Sequence, residues 1–392
     1  MKIFNHDIMN CTHQQVTGNY LYSGRVLGLT DQNDIVQLHP ALRGEWQAIV
    51  GHYERIGLRH SQNVIWDVSS AVRLAHPQLE TSVFYFGDAE NQESYRSQQF
   101  RQENQRWHDV VQCMNNKNNF MELAHQLQVT VPKTLCFAQK SELRLNSEIP
   151  YPCYVKPSVS VDGMGIVRCA DRQQLSLALY DMPDNVSFQI QEEVLAASFL
   201  NLQYRVTEDG LERHAATEQI LDGCSHSGNR YPTEYQPWDL VEPMAQWMVD
   251  QGMQEIFAFD VAVVFSSRGP RYYAIECNPR YNGASYPTGV AQKLDIQSWI
   301  CETFTTPLRA LNDIDLSGIE FDAQTGVGVI IVNWGNVHMG KVVCLLAGSH
   351  TQQDQLRTTL KQRLMGTQLQ ESTLPPSFHP LESISNVGQA WN

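Results

Sequence analysis

Two short stretches of the chain, joined by a turn, carry residues whose types and spacing fit cation binding. Residues 256–265 and 271–278 each alternate as β-strands do, and the turn between them contains Ser, Arg, Gly and Pro. If the hairpin pivots at Arg268, Asp260 lies opposite Glu276, because each is eight residues from the pivot. Asn278 shares the face of Glu276, since side chains two residues apart on a strand point the same way. The hairpin therefore brings three oxygen-bearing side chains together.

These three side chains have the composition of a magnesium site. Two carboxylates about 5 Å apart repel each other at neutral pH unless a cation lies between them. Carboxylate and amide oxygens suit Mg²⁺, which also keeps water and substrate phosphates as ligands. The small neighbours Ala258 and Ala262 leave room above the carboxylates. We predict that Asp260, Glu276 and Asn278 bind Mg²⁺, although the same hairpin taken alone is equally consistent with an ordinary solvated surface.

A second candidate for chemistry is a lysine that precedes a Ser/Gly-rich loop. The strand predicted from residue 151 ends at Lys156, and the loop that follows contains Ser158, Gly163 and Gly165. A lysine ammonium together with exposed backbone N–H groups can hold nucleotide phosphates. This is not a P-loop, in which the lysine closes the glycine motif and a helix follows. A plain hairpin with a surface lysine is the alternative.

Two acidic residues end the next predicted strand, at 187–195. Glu192 and Glu193 could face an adenine amino group and a ribose, while the local backbone pairs with the ring. Two solvated acids at the end of a strand explain the same pattern, and this is the simpler interpretation when the strand is taken alone.

The whole-chain composition restricts the class of protein. The 392 residues are enough for two or three domains, and the net charge of −14 disfavours nucleic acid as the main partner. The N-terminus has no apolar core of signal-peptide length, and no apolar stretch approaches a membrane span. The nine cysteines form no CxxC pair and their number is odd, which favours reduced thiols. We therefore expect a cytoplasmic protein that does not enter membranes.

The hydrophobic periodicity predicts the elements around these sites. Residues 1 to about 112 alternate short strands with a helix, which is typical of a small parallel sheet, and the polar segment 89–106 predicts a solvated helix or a connection. Further patterns predict helices at 118–129, 171–179, 239–251, 290–304 and 352–365, and strands at 199–222, 326–334 and 340–348. A loop is predicted at 223–232, where glycines and a proline cluster, and a Pro/Ser-rich tail or strap after residue 372.

The order of these features resembles the ATP-grasp superfamily. Lys117 opens the region, Lys156 precedes the glycine loop, an acidic strand end follows, and Asp260 is followed by Glu-Cys-Asn-Pro-Arg at 276–280. The resemblance covers roughly residues 113–300. It implies a fold of mixed α/β and α+β class. The implied parts are an N-terminal pre-grasp α/β domain at 1–112, a small lid subdomain at 113–190, a central antiparallel-sheet subdomain at 191–305 and a C-terminal extension at 306–392.

The resemblance also implies where ATP binds. Lys117 and Lys156 would contact its α- and β-phosphates, and the loop from Ser158 to Gly165 would close over the γ-phosphate. Glu192, with the backbone as far as Val194, would contact adenine. Many members of the superfamily have a ribose-binding acid a few residues later, but here residues 198–201 are Ser-Phe-Leu-Asn.

Other residues would take the ribose, the metal and the reacting groups. Glu193 and Asn201 are the substitutes available for the missing ribose-binding acid. Asp260, Glu276 and Asn278 would hold Mg²⁺ as cofactor. Arg280 and Lys156 would be the catalytic residues, with Arg280 stabilising the transferring phosphoryl group or the acyl phosphate.

The implied activity is ATP-dependent ligation of a carboxylate to an amine through an acyl phosphate, with release of ADP and phosphate. The segments Gly-Asn-Arg-Tyr-Pro at 228–232 and Asn-Pro-Arg-Tyr-Asn-Gly at 278–283 are similar to peptide ligases of natural-product pathways, of the pheganomycin type. Amino acids or a small peptide are therefore the expected substrates. A kinase or carboxylase on the same scaffold and an ATP-binding regulator without turnover are the alternatives. The C-terminal extension would complete the substrate pocket or form a homodimer contact.

Overall fold

The protein is described by a computed structural model that covers residues 1–12, 16–84, 95–144, 148–160, 163–223 and 225–366. The predicted strap after residue 372 lies outside these residues, as do residues 161 and 162 of the predicted glycine loop. The described chain contains three β-sheets of four, four and eight strands, with helices packed on them. The predicted mixture of α/β and α+β structure is confirmed.

The first sheet is the small parallel sheet predicted from the N-terminal alternation, and its strand order is β3-β2-β1-β4. Its strands are β1 (Lys2–Asn5), β2 (Ile35–Gln37), β3 (Asn63–Ile65) and β4 (Glu80–Val83). The α-helices within residues 1–126 are α1 (Met9–Thr12), α2 (Trp46–Arg55), α3 (Ser70–Leu74), α4 (Tyr95–Glu103), α5 (Gln105–Asn115) and α6 (Lys117–Gln126). In the same range, 3-10 helices span Asn19–Leu29 and Pro40–Glu45. The sequence pattern did not reveal β1, whose four residues are too few for a period to show.

The second sheet is antiparallel and has the order β5-β8-β6-β7. Its strands are β5 (Thr134–Phe137), β6 (Cys153–Pro157), β7 (Val167–Cys169) and β8 (Phe188–Glu192), and helix α7 (Arg172–Asp181) packs on it. Asp171 caps α7 by accepting a hydrogen bond from the N–H of Gln174. Leu175 of α7 joins the small core made by Val155, Phe188 and their neighbours.

The third sheet is antiparallel and has the order β13-β12-β9-β10-β11-β14-β16-β15. Its strands are β9 (Ser198–Thr207), β10 (Gly210–Asp222), β11 (Ser225–Tyr231), β12 (Ile256–Ser266), β13 (Gly269–Asn278), β14 (Trp299–Thr305), β15 (Gly328–Asn333) and β16 (Lys341–Ala347). The remaining α-helices are α8 (Trp238–Gln251), α9 (Ser285–Lys293) and α10 (His350–Leu364), and short 3-10 helices span Lys140–Glu142, Leu311–Asp313 and Gly335–Met339.

The loop predicted at 223–232 is wrong, because this segment forms strand β11. β11 pairs with β10 on one side and with β14 on the other, so its backbone hydrogen bonds are satisfied within the sheet. A Cβ atom at Gly228 would lie only 2.2 Å from the carbonyl oxygen of Cys301, so the glycine permits this close approach of two strands. Strand β11 was not evident from the sequence, because its residues are mostly polar and one of the strands that it pairs with, β14, lies far along the chain.

The helix predicted at 290–304 is also wrong in its second half. Helix α9 ends at Lys293, and Asp295 has a left-handed backbone with φ of +53°, which stops the helix. Residues 299–305 then form β14, which pairs with β11 and β16. A short apolar run does not distinguish a helix from a buried strand, and the tertiary pairing decided the outcome here.

The expected C-terminal extension does not form a sheet of its own. β15 and β16 continue the large sheet beyond β14, so the sheet runs through the boundary expected at residue 305. Their apolar residues share one core with the N-terminal region. Tyr53 donates a hydrogen bond to the carbonyl oxygen of Ile331 across this core, at 3.1 Å.

Two further expectations concern the cysteines and the membrane. The seven cysteine side chains within the described residues are free thiols, in agreement with the sequence. In the described part of the chain, no helix combines the length and the apolar character needed to cross a membrane.

The contact between Gly24 and Trp334 joins the N-terminal region to the large sheet, and it gives a test of this packing. Trp334 is fully buried and donates its indole N–H to the carbonyl oxygen of Gly24 at 2.7 Å. A Cβ atom at Gly24 would lie 2.8 Å from the Trp334 ring. We expect Gly24→Ala to lower the free energy of unfolding in urea by about 1–3 kcal/mol, the usual effect of overpacking a core.

Gly44→Ala is the matched control, because no atom lies within 4 Å of the added Cβ. Its free energy of unfolding should equal or slightly exceed that of the wild type. Equal stabilities of the two variants would contradict the packing described for Gly24.

Candidate active site

The hairpin β12–β13 places Asp260 directly opposite Glu276, as its sequence predicts. The turn itself holds two residues, because Ser266 pairs with Gly269, and this register alone would set Asp260 opposite Ile275. A β-bulge between Asp260 and Val261 shifts the register by one residue and brings Glu276 into the opposing position. Bulges re-aim side chains in this way beside active sites. Without the bulge, Glu276 would point to the other face of the sheet.

Asn201 of β9 completes the surroundings of Asp260 on the neighbouring strand. Asn201 pairs with Asp260 in the sheet, and its amide nitrogen donates to one carboxylate oxygen at 2.7 Å. The amide nitrogen of Asn278 donates to the other oxygen at 3.0 Å. Asn282 in turn donates to the amide oxygen of Asn201 at 3.3 Å. The Asp260 carboxylate is therefore fixed by hydrogen bonds from both sides.

Lys117 neutralises the other carboxylate. It is the first residue of α6, where the Asn116 side chain caps the helix. Its Nζ lies 3.1 Å from a carboxylate oxygen of Glu276 and donates to the hydroxyl of Ser160 at 3.2 Å. The lysine thus joins the metal-binding candidate to the glycine loop, from a helix more than 150 residues away in sequence from Glu276.

The two carboxylates have opposite pKa shifts. Burial raises the pKa of Asp260, and the negative charge of Glu276 raises it further. Burial also acts to raise the pKa of Glu276, but the positive charges of Lys117 and Lys156 lower it below the ordinary glutamate value. The pair therefore prefers one negative charge to two, as expected for opposed carboxylates.

These residues fit a divalent cation. Two carboxylates and an amide supply only oxygen ligands, which Mg²⁺ prefers, and a cation would remove the repulsion that raises the pKa of Asp260. The described residues contain no cluster of three or more His, Cys, Asp or Glu side chains placed to hold a metal. The amide oxygen of Asn278, together with water or substrate phosphates, would complete the coordination.

Arg280 lies just beyond the hairpin and faces the same space. Its backbone N–H donates to the carbonyl oxygen of Asn278 at 2.7 Å, in a tight turn, and its charge helps to lower the pKa of Glu276. One guanidinium nitrogen donates to the side chain of Asn115, at the end of α5, at 2.5 Å. The guanidinium carbon lies 5.7 Å from the centre of the Phe84 ring.

Lys156 and Ser158 lie at the end of β6, as predicted, but both are already engaged. Lys156 is buried and donates to the side chain of Gln191 at 2.7 Å. Ser158 is hydrogen-bonded to Ser187 through both backbone and side chain. Lys156 still acts on the site through its charge, which lowers the pKa of Glu276.

The two predicted loop glycines have the backbone that the sequence suggests. Gly163 and Gly165 have φ of +73° and +75°, a region that favours glycine. A Cβ at Gly165 would lie 2.9 Å from the Pro157 ring, so Gly165 packs closely on the end of β6.

The predicted adenine-binding residues do not reach the carboxylate site. Glu192 accepts a hydrogen bond from the backbone N–H of Lys133 at 2.7 Å. Glu193 forms an ion pair with Arg168 of β7 at 2.6 Å, which lowers the pKa of Glu193. Val194 follows directly, and its carbonyl oxygen accepts a hydrogen bond from the N–H of Ala196 at 2.8 Å. Their contact with adenine stays a prediction.

The substitutes for the ribose contact are separated in the structure. Asn201 holds Asp260, and Glu193 is bound to Arg168 in the second sheet. Asn201 carries a signal that sequence reasoning could have used, since it is a polar residue between Leu200 and Leu202 on a predicted strand. No local pattern marks Asn115, which enters the site only through the packing of α5.

A cavity of about 590 Å³ unites most of the site. Six of the residues predicted for catalysis, ATP binding or metal binding line it, and these are Lys117, Gly163, Asp260, Glu276, Asn278 and Arg280. Asn201, one of the two ribose candidates, lines it as well. The other walls of the cavity come from the N-terminal region, from β11 and from the C-terminal strands β15 and β16. The segment after residue 305 therefore contributes to the pocket, which is one of the two uses expected for it. A second cavity of about 630 Å³ lies between α2 and residues 311–320 and contains none of the predicted residues.

Comparison with known proteins finds solved structures that share the fold of this chain. No family model and no curated protein matches the sequence. Among solved structures, N5-carboxyaminoimidazole synthetase from Staphylococcus aureus in complex with ADP is similar at a TM-score of 0.55 and 10% identity, over 93% of this chain and 96% of that one. The L-amino acid ligase from Bacillus licheniformis is similar at a TM-score of 0.51 and 10% identity, over 93% and 97%.

A third similar structure contains two bound small molecules. N5-carboxyaminoimidazole synthase from Aspergillus clavatus, in complex with ADP and 5-aminoimidazole ribonucleotide, is similar at a TM-score of 0.55 and 10% identity. The similarity covers 86% of this chain and all of that one. At such identities the likeness establishes a shared fold.

The raised pKa of Asp260 predicts a pH dependence of stability. A carboxyl with a raised folded-state pKa binds its proton more tightly in the folded chain, so stability falls as pH rises above about 4, where an ordinary aspartate ionises. Asp260→Asn removes this titration. In EDTA, we expect the melting temperature of Asp260→Asn relative to wild type to increase from pH 5 to about pH 7, where the folded-state pKa of Asp260 lies, and to level off above it.

Asp209→Asn, at an exposed turn between β9 and β10, is the control and should follow the wild-type curve. Parallel curves for wild type and Asp260→Asn would show that Asp260 is not held in the repulsive arrangement described here.

Proposed function

Because the chain has the ATP-grasp fold, we propose that it is an ATP-dependent ligase that joins a carboxylate to an amine. The observation that carries this proposal is the convergence of five side chains on one cavity. Asp260, Glu276 and Asn278 supply oxygen ligands, while Lys117 and Arg280 supply positive charge beside them. Binding of ATP alone would not need Arg280 in this position, so the arrangement supports turnover.

In this proposal Lys117 and Lys156 bind ATP phosphates, and Asp260, Glu276 and Asn278 hold Mg²⁺. When bound, Mg²⁺ supplies charge neutralisation at the phosphates of ATP. Lys117, whose ammonium contacts Glu276, would bind a phosphate oxygen of ATP from the same position. The amide donors of Asn201 and Asn278 hold the Asp260 carboxylate oxygens in place. Preorganised charge of this kind makes the largest contribution to phosphoryl transfer.

The reaction follows from the chemistry of a carboxylate. A carboxylate is a poor electrophile, because its charge is delocalised and oxide is a very poor leaving group. Transfer of the γ-phosphoryl group onto it gives an acyl phosphate, and attack by an amine on the carbonyl carbon then forms the amide and releases phosphate. Arg280 stabilises the negative charge of the transferring group. The loop with Gly163 and Gly165 closes over the phosphates and keeps water from the intermediate.

The substrates that we propose are amino acids or a small peptide, as for peptide ligases of natural-product pathways. The structural similarity to an L-amino acid ligase supports this choice. A second candidate is an ATP-dependent carboxylase, in which bicarbonate is the carboxylate. The similarity to two N5-carboxyaminoimidazole synthetases favours it, because those names describe carboxylation of an amine.

The proposal is tested by incubating the protein with ATP, Mg²⁺ and pooled amino acids, and by measuring ADP, AMP, phosphate and product masses. We expect ADP and phosphate only when the pool is present, with a product mass equal to two components less water. Bicarbonate with an amine, in a parallel reaction, tests the carboxylase. Formation of AMP would overturn the acyl-phosphate mechanism.

Glu276→Gln should almost abolish this turnover, lowering it about 100-fold or more, because the change removes one carboxylate of the proposed metal-binding pair. Its fold should be retained, since Glu276 is partly exposed and lies outside the hydrophobic core. Glu212→Gln, on the exposed face of β10, is the control and should keep wild-type turnover. Near-normal activity of Glu276→Gln would refute the metal assignment.

Arg280→Ala should lower kcat far more than it weakens ATP binding, by a factor of about 100 to 1,000, the usual effect of removing one transition-state donor. Arg271→Ala, an exposed arginine near the turn of the same hairpin, should change neither value. Steady-state kinetics and ATP titration calorimetry separate the two effects. Equal losses in rate and affinity would place Arg280 in ground-state binding.

A further inference from the structure

A further cation, Arg25, faces the same cavity from the N-terminal region. It belongs to the 3-10 helix Asn19–Leu29, and only 8% of it is exposed. Its guanidinium carbon lies 4.3 Å from the centre of the Tyr286 ring, 4.5 Å from that of Phe84 and 5.2 Å from that of Tyr22. Arg25 is therefore a buried charge surrounded by aromatic rings, in the wall of the proposed active site.

The polar atoms of this guanidinium are not satisfied. Its Nε and Nη2 are buried and have no hydrogen-bond partner, and within the described ranges Arg25 forms no ion pair. Contact with ring faces offsets part of the desolvation but leaves the in-plane N–H groups without acceptors. Nearby His6 gives no compensation, because burial and the charge of Arg25 lower its pKa and keep it neutral. A buried charge left in this state is unfavourable unless a ligand supplies the partner.

The chemistry of the missing partner follows from the guanidinium. Its planar fork of N–H donors matches the two oxygens of a carboxylate or of a phosphate. The acids that line the cavity, Asp222, Asp260 and Glu276, lie on β10, β12 and β13, and none forms an ion pair with Arg25. The partner that fits is therefore an anionic group of a bound small molecule.

The position of Arg25 relative to Arg280 sets the size of that molecule. Both guanidinium carbons lie against the ring of Phe84, at 4.5 Å and 5.7 Å from its centre. The two carbons are thus no farther apart than the sum of these distances. A small metabolite can therefore place its reacting group near Arg280 while a second, anionic group reaches Arg25.

We propose that Arg25 binds an anionic group, a carboxylate or a phosphate monoester, that belongs to one of the two substrates and does not react. The proposal rests on the ligase function and narrows its substrates to molecules with such a second group. Arg25 acts here as a substrate-binding residue, and the three rings restrict the guanidinium to one orientation. The chemistry is the same for the α-carboxylate of an amino acid and for a sugar phosphate, so the test must separate these two sources.

Binding without ATP tests the subsite independently of turnover. Titration calorimetry and melting temperatures are measured with four kinds of probe, namely L-amino acids, their α-amides, ribose 5-phosphate and inorganic phosphate. We expect the wild type to bind one anionic kind and not the α-amides. Preference for amino acids identifies a carboxylate source, and preference for ribose 5-phosphate or phosphate identifies a phosphate source.

Arg25→Met should weaken this binding by about thirtyfold or more, as expected when one member of a buried charge pair is removed. Its melting temperature without ligand should equal or exceed that of the wild type, because an unpartnered buried charge has been removed. Arg25→Lys keeps the charge without the fork and should bind with intermediate affinity. Arg43→Met is the matched control, since Arg43 also lies over an aromatic ring, that of Trp66 at 5.3 Å, but is exposed and outside the cavity.

Binding of ATP with Mg²⁺ is measured on the same proteins, so that the two proposals fail separately. If wild type binds ATP but none of the anionic probes, or if Arg25→Met binds them as wild type does, the subsite is wrong and the ligase proposal stands. Where amino acids bind, equally tight binding of their α-amides also overturns the subsite. If anionic probes bind in an Arg25-dependent manner and ATP does not bind, the subsite stands and the ligase proposal fails.

Discussion

The repulsion between Asp260 and Glu276 is the interaction on which the rest of the site depends. A single β-bulge sets the two carboxylates on the same face of neighbouring strands, where burial and mutual charge make double ionisation unfavourable. Asn201 and Asn278 hold one carboxylate, and Lys117 neutralises the other. The two carboxylates repel each other, and a divalent cation between them would remove this repulsion. This explains why hydrogen-bond donors, and not apolar side chains, surround the pair.

The surrounding fold delivers side chains to this pair from parts of the chain that are far apart in sequence. Helix α6 supplies Lys117, the end of α5 supplies the partner of Arg280, and the N-terminal 3-10 helix supplies Arg25. The C-terminal strands continue the sheet and close another wall. Because the N-terminal and C-terminal segments share one hydrophobic core, the cavity wall that they form is set by packing rather than by a loop.

The charge of the cavity differs from that of the protein. The chain carries a net charge of −14, yet four cations line the cavity with three acids. The cations are Arg25, Lys117, Arg280 and Lys341, and the acids are Asp222, Asp260 and Glu276. A local excess of positive charge inside a negative protein favours anionic ligands at that place alone. Lys117 and Arg280 have ion-pair or hydrogen-bond partners in the protein, whereas Nε and Nη2 of Arg25 have no hydrogen-bond partner among the described residues. In the function that we propose, Lys117 and Arg280 serve the phosphates and Arg25 serves the substrate.

The sequence by itself determined the hairpin, its candidate carboxylates and amide, the lysines and the small parallel sheet, because these follow from local period, spacing and residue type. It also implied the ATP-grasp fold through the order of those motifs. The β-bulge that sets Asp260 opposite Glu276 was decided by the tertiary structure, because the two-residue turn alone gives a register one residue away. Only the tertiary structure decided that 225–231 and 299–305 are strands, that Glu193 is bound to Arg168, that Asn201 serves Asp260 and that Arg25 reaches the cavity. Each of these depends on partners distant along the chain, so no local pattern records them. Periodicity specifies which face a residue occupies, and packing specifies what that face meets.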